Sequence, residues 1–136
     1  MSIPTVLIAD DDAGMVRMIK TTLEPLGLRI RDVRDAFSAL MEVHESPPDL
    51  VILDVNMPAG NGLSVCEMLA TNPGLRRLPV IMLTGDPSEE VRERCMDMGA
   101  DFVPKGTEAM FQLKRLVSQI LSDHESEATK SQMFIG

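Results

Sequence analysis

Five times along this chain a short apolar run stops at a polar residue, and the hydrophobic period then becomes helical. The first instance sets the pattern. TVLIA (5–9) runs into Asp10, Asp11 and Asp12, and from Ala13 onward Val16, Ile19, Leu23 and Leu26 can share one helical face before Gly27 ends it. A run that is apolar at every position suits a strand covered on both faces, which is the habit of parallel sheets. The unit then recurs: a more polar strand at Leu28–Val33 and a helix at Ala36–His44 that turns Phe37, Leu40 and Met41 inward; a central strand at Asp49–Leu53 stopping at Asp54 and a helix at Leu63–Ala70. Pro79–Leu83 stops at Thr84 before a helix at Ser88–Met98, and Asp101–Val103 leads to Lys105 before a helix at Glu108–Leu121. Units this short imply right-handed crossovers, so all strands point one way and helices cover both faces of an α/β, doubly wound sheet.

That architecture gathers the strand ends. Asp10–Asp12, Asp54, Thr84 and Lys105 fall at the carboxyl edge of the sheet, where open α/β folds bind their ligands. Carboxylates held together there repel one another unless a proton or a cation intervenes. An oxygen-only donor set favours a hard ion such as magnesium over zinc, and neither His44 nor His124 lies near this edge. Lys105 and Thr84 offer an ammonium and a hydroxyl from the other side, so the pocket suits a tetrahedral phosphoryl group. One carboxylate can serve as a nucleophile towards phosphorus, and Asp54, alone at the end of the central strand, is the candidate.

Composition narrows the partners. Thirteen Lys plus Arg against 21 Asp plus Glu leave a net charge of −8, which disfavours nucleic acid and anionic membrane. No helix-turn-helix pattern or basic patch points to direct DNA readout. The 136 residues suit a single domain, with a core built from Val, Leu, Ile and Met because there are four Phe and no Tyr or Trp. Met82, Met96 and Met98 read as core or interface filling, and Arg92 and Arg94 as a solvated helix face. Cys66 and Cys95 sit in helical, apolar patterns and read as buried free thiols of a reducing compartment. With no secretory signal pattern and no apolar run of about 18 residues, the expected location is cytoplasmic.

Four strings, VLIADD (6–11), LVILDVNMPAGNG (50–62), VIMLTG (80–85) and GADFVPK (99–105), together resemble the receiver domain of two-component response regulators, including chemotaxis-type single-domain receivers. The resemblance implies a flavodoxin-like sheet of order 2-1-3-4-5, a receiver over 1–122 and a tail or linker over 123–136. It implies that Asp54 is both the phosphoacceptor and a ligand of Mg2+, that Asp11 binds the ion directly with Asp10 assisting, and that Asn56 adds its backbone carbonyl. Thr84 and Lys105 would contact the phosphoryl oxygens and Gly85 would leave room for them. Thr84 and Phe102 would move together as a switch, while Asn56 and Asp86 would border the route of hydrolytic water. The implied donor is a histidine kinase or histidine phosphotransfer protein. Output would pass to a downstream protein or an output domain outside these residues, or through a homodimer on the face of the fourth helix, fifth strand and fifth helix. The domain would catalyse its own phosphorylation and dephosphorylation without being a conventional turnover enzyme.

One departure stands out. The family commonly follows the lysine with proline, whereas here Pro104 precedes Lys105 and Gly106 follows, so a more mobile or rerouted loop is expected. Two other classes share part of the pattern. A pseudo-receiver would keep the fold without phosphorylation, and an aspartate-nucleophile phosphatase would use the same Asp, Thr, Lys and magnesium. The phosphatase needs a second carboxylic acid two residues after its nucleophile, and that position is Asn56. A flavin carrier is poorly served by a chain without Tyr or Trp to stack on the ring.

Overall fold

The central strands are buried on both faces and the outer two only in part. In the computed structural model, which describes residues 2–86 and 88–135 and side chains as far as Asp123, β1 (Thr5–Ala9), β2 (Arg29–Val33), β3 (Leu50–Leu53), β4 (Val80–Thr84) and β5 (Asp101–Pro104) form one parallel sheet. Its order is β2-β1-β3-β4-β5, as the resemblance implied. Side chains alternate between two cores. Leu7, Val51, Leu53 and Met82 face the core beneath α2 (Ala36–Glu45), α3 (Gly62–Thr71) and α4 (Glu89–Asp97). Val6, Ile8, Leu50, Ile52, Ile81 and Leu83 face the core beneath α1 (Ala13–Leu23) and α5 (Ala109–Ile135). Each fully buried Leu or Ile contributes about 1.5–3 kcal/mol relative to exposure.

The helix ends have local causes. Asp12, Asp35, Asn61 and Ser88 each accept a hydrogen bond from a backbone N–H in the first turn of the helix that follows, satisfying donors that have no intrahelical partner. Asp12 is therefore the cap of α1. That helix stops at Leu23, earlier than Leu26, and Pro25 lies in the 3-10 turn Glu24–Leu26 that follows. The chain then turns at Gly27, whose φ of 68° is left-handed and suits glycine.

One expectation is corrected. Phe37 and Met41 do not face the core: they are 63% and 43% exposed, and Leu40 is only half-buried. The inward face of α2 is Ala36, Ala39 and Val43, small side chains that let the helix lie close to the sheet. Arg31 of β2 ties this helix to the sheet edge, donating to Glu42 Oε2 and to the Ser46 carbonyl, both at 2.6 Å. The methionines also divide, with Met82 fully buried, Met98 half-buried and Met96 exposed. Cys66 and Cys95 are free, buried thiols, as expected. Through most of the expected tail over 123–136 the backbone continues α5, as far as Ile135, and the side chains beyond Asp123, His124 among them, lie outside those described.

Candidate phosphoacceptor site at the carboxyl edge

The sheet places two carboxylates side by side. Ala9 pairs with Leu53, and the Asp54 N–H donates to the Ala9 carbonyl at 3.0 Å, so Asp10 and Asp54 leave adjacent parallel strands together. Sheet order reverses between β1 and β3, which opens the crevice these residues line. Among the described residues, the buried polar or charged side chains are Asp10 (2% exposed), Asp54 (7%) and Thr84 (1%), and all three stand at this edge. Asp11 is exposed beside them.

Lys105 joins the acids. Its Nζ donates to Asp54 Oδ2 at 3.0 Å and to Asp10 Oδ2 at 3.1 Å. Burial drives the lysine pKa down, but the two carboxylates more than offset it, leaving the pKa above the ordinary value. Burial also pushes the Asp10 carboxyl up, and the Asp54 charge adds to that. The Asp12 N–H, donating at 2.9 Å, and Lys105 pull the other way without cancelling the rise. The Asn56 N–H makes a longer contact of 3.4 Å to Asp54 Oδ1.

The departure from a following proline does not keep Lys105 from the acids. Its own N–H donates to the Thr84 carbonyl at 2.8 Å, which fixes its backbone to the end of β4. Backbone groups of alternate residues point to opposite edges of a strand, so Pro104 faces the open side of edge strand β5. No ladder donor is lost there.

A divalent cation fits the donors. Oxygens of Asp10, Asp11 and Asp54 lie within 4.8 Å of one another, and three carboxylates against one ammonium leave two negative charges uncompensated. Hard oxygen donors of this kind suit Mg2+. Thr84 Oγ1 accepts from the Asp86 N–H at 3.1 Å, and Asp86 in turn accepts from the Ser88 N–H. Beside them Gly85 leaves space: among the described residues, a Cβ there would meet only Lys105 Cδ, at 3.9 Å. Phe102 lies apart, half-buried on β5 opposite Met82, with the Arg92 guanidinium 6.0 Å from its ring centre. Those two residues help line an open cleft of about 510 Å³ between α4, β5 and α5.

One residue at this edge escaped the sequence reading. Gly62, the first residue of α3, lies so close to Asp54 that a Cβ would stand 2.1 Å from the Asp54 carbonyl oxygen. The signal was present as a glycine eight positions after the acid, at the end of the string LVILDVNMPAGNG.

A buried aspartate opposed by a lysine and flanked by a cation-binding acidic cluster, at the switch point of a 2-1-3-4-5 sheet, defines a class of phosphoaccepting signalling domains. The sequence profile of the response regulator receiver domain matches residues 6–121, and the chain belongs to that family. It is 34% identical over 116 residues to the phosphate regulon transcriptional regulatory protein PhoB of Klebsiella pneumoniae, covering 85% of this chain and 49% of that protein. The chain thus spans about half the length of such curated relatives. Among solved structures, the receiver domain of a signal transduction histidine kinase from Syntrophus aciditrophicus is 32% identical with a TM-score of 0.80, covering 88% of this chain and 91% of that one. A response regulator structure from Chloroflexus aurantiacus is 29% identical with a TM-score of 0.81, covering 89% and 99%. Membership links the domain to histidine kinases and phosphotransfer proteins, and to self-catalysed aspartyl phosphorylation and hydrolysis in place of conventional turnover. Among the described residues, no helix is long and apolar enough to cross a membrane.

Proposed function

We propose that Asp54 accepts a phosphoryl group from a phosphohistidine on a kinase or phosphotransfer partner and holds it as an acyl phosphate. The supporting observation is the ammonium of Lys105, shared between Asp54 and Asp10 at 3.0 and 3.1 Å beside the acidic cluster. In the forward step an Asp54 oxygen bonds to phosphorus, the phosphorus–nitrogen bond breaks, and the imidazole leaves with the electron pair. Asp10, Asp11 and Asp54 would hold the cation, with the Asn56 carbonyl as a further ligand. When bound, magnesium neutralises charge on the phosphoryl oxygens. Lys105 and the Thr84 hydroxyl take the remaining oxygens in the space beside Gly85.

Asn56 and Asp86 border the path of water to the acyl phosphate and set its lifetime. Thr84 and Phe102 carry the change towards the face of α4, β5 and α5. There a downstream protein, a second copy of the chain or an output domain reads it. Residues 1–122 serve as the receiver and 123–136 as tail or linker, in the cytoplasm, with no direct contact to nucleic acid or membrane.

Incubation with acetyl phosphate and magnesium should label the intact chain once and leave Asp54→Ala unlabelled. Label persisting in the variant would refute the assignment, and absence of label in both would identify a pseudo-receiver. Continuous release of phosphate from added esters, at rates far above one event per chain, would indicate a phosphatase. Decay of the label at an unchanged rate in Asp86→Asn would remove that residue from the hydrolytic route.

A further inference from the structure

Asp54 is constrained on three sides by neighbours that cannot easily move. Its N–H is bonded to Ala9 in β1, and its strand lies between β1 and β4 in the middle of the sheet. Its carboxylate is tied to Lys105. On the fourth side stands the first turn of α3. Gly62 donates its N–H to the Val55 carbonyl at 3.0 Å, which seats the helix start against the peptide that follows Asp54.

The steric margin there is negative for any other residue. A Cβ on Gly62 would lie 2.1 Å from the Asp54 carbonyl oxygen, 2.8 Å from its carbonyl carbon and 3.2 Å from Met82 Sδ. The first two contacts are with backbone, so no side-chain rotation relieves them. Gly62 is in turn held from the other direction: Asn56 and Asn61 form an antiparallel bridge, and Asn61 Oδ1 caps α3 by accepting from the Ser64 N–H at 2.9 Å. The loop between Asp54 and Gly62 is also pinned to α2, because the Ala36 N–H donates to the Pro58 carbonyl at 3.1 Å. With the loop fixed at both ends, an added methyl group is resolved most directly by rotating the Asp54 peptide, and that rotation carries its carboxylate away from Lys105.

We infer that Gly62 is a positioning residue for the phosphoacceptor: its bare Cα permits the backbone approach that aims the Asp54 carboxylate at Lys105 and the cation cluster. The inference rests on Asp54 being the phosphoacceptor, and the test separates the two. Gly62 touches neither the phosphoryl group nor the cation in this account and acts only through Asp54.

The test compares wild type, Gly62→Ala and Gly27→Ala by the rate of labelling against acetyl phosphate concentration, with magnesium saturating and thermal unfolding measured in parallel. Gly27 is a stability control, because its φ of 68° strains any other residue while a Cβ there meets nothing within 4 Å. Misplacement of a reacting group by about 1 Å costs on the order of a hundredfold in rate, so Gly62→Ala should lose about that much in maximal labelling rate while half-saturation changes little. Gly27→Ala should lose thermal stability and label at the wild-type rate. Wild-type labelling kinetics in Gly62→Ala, or a slowing in Gly27→Ala that matches it, would overturn the inference. All three are assayed with trimethylamine N-oxide, which favours compact states, and folding is verified by circular dichroism. A Gly62→Ala chain that stays unfolded there assigns Gly62 to folding alone and also overturns it. Failure of the wild type to label would instead remove the phosphoacceptor reading on which the inference stands.

Discussion

Replacing Lys105 by methionine removes the one cation among the described residues that touches both buried carboxylates, and the consequence can be worked from the distances. At an effective dielectric of about 20, each contact near 3 Å is worth about 5 kcal/mol of Coulomb attraction. The same arithmetic gives about 3 kcal/mol of repulsion between Asp10 and Asp54, whose oxygens lie within 4.8 Å. The chain need not bear the whole loss, because one carboxyl can take up a proton. From the ordinary carboxylate pKa, protonation at neutral pH costs about 4 kcal/mol, which caps the penalty. Breaking one side of a buried pair typically costs about 3–5 kcal/mol, so a loss near 3 kcal/mol without metal is the expected value.

Two further signs follow from that substitution. The relieving carboxyl has its pKa raised in the folded state, so the variant's deficit is small in acid and grows as pH rises through that pKa. The site also becomes more negative by one charge, so magnesium should bind at least about tenfold more tightly and restore more stability than in wild type. The assay is urea unfolding followed by far-UV circular dichroism, since the chain has no Trp or Tyr to report by fluorescence. It is run with EDTA and with excess magnesium, at neutral and acid pH. A Lys105→Met chain as stable as wild type in EDTA, or one with unchanged magnesium affinity, would refute the electrostatic account of the site.

Two other outcomes test the fold. Val43→Ala, at a fully buried position of α2, should cost about 1–3 kcal/mol in urea unfolding, whereas Phe37→Ala should cost under about 0.5 kcal/mol despite removing the larger side chain. The reverse order would show that α2 is rotated from the face described. Burial pushes the Cys66 thiol up from 9.0 to about 11, so the folded state holds its proton longer than the unfolded chain does. Stability should therefore fall by about 2–3 kcal/mol as pH rises through that window. Cys66→Ala should flatten the slope, and an unchanged slope would exclude the thiol as its source.

The sequence was most readable where chemistry and burial point the same way. Continuous apolar runs such as LVIL mark strands covered on both sides, and their polar stops fall at the carboxyl edge because parallel strands share a direction. Asp10, Asp54, Thr84 and Lys105 were therefore identifiable without coordinates, and the structure brings the two acids and the lysine into contact. The reading failed on α2 because it ranked positions by the size of the hydrophobe. Close approach of helix to sheet favours small residues, so Ala36 and Ala39 face inward and Phe37 does not. Arg31, on a different element, adds contacts to Glu42 and Ser46 that accompany this orientation. Gly62 was invisible for a related reason. Its requirement comes from the backbone of Asp54, brought against it only when α3 folds back on β3.

The same geometry bears on how a phosphoryl group could be sensed. Three carboxylates and one lysine leave the edge at −2, and converting Asp54 to an acyl phosphate replaces one negative charge by about two. A bound dication removes two of the resulting three, so the added group still leaves the edge needing donors. Lys105 can turn from Asp10 and Asp54 to the phosphoryl oxygens only within the reach of its side chain, because its backbone is held to Thr84. Thr84 holds the opposite position: its hydroxyl oxygen accepts from Asp86, which leaves its proton available to donate. A demand for donors at the edge therefore falls on β4 and β5 together, joined by the bond from Lys105 to Thr84. Phe102, on β5 three residues before the lysine, lies in the cleft those elements border.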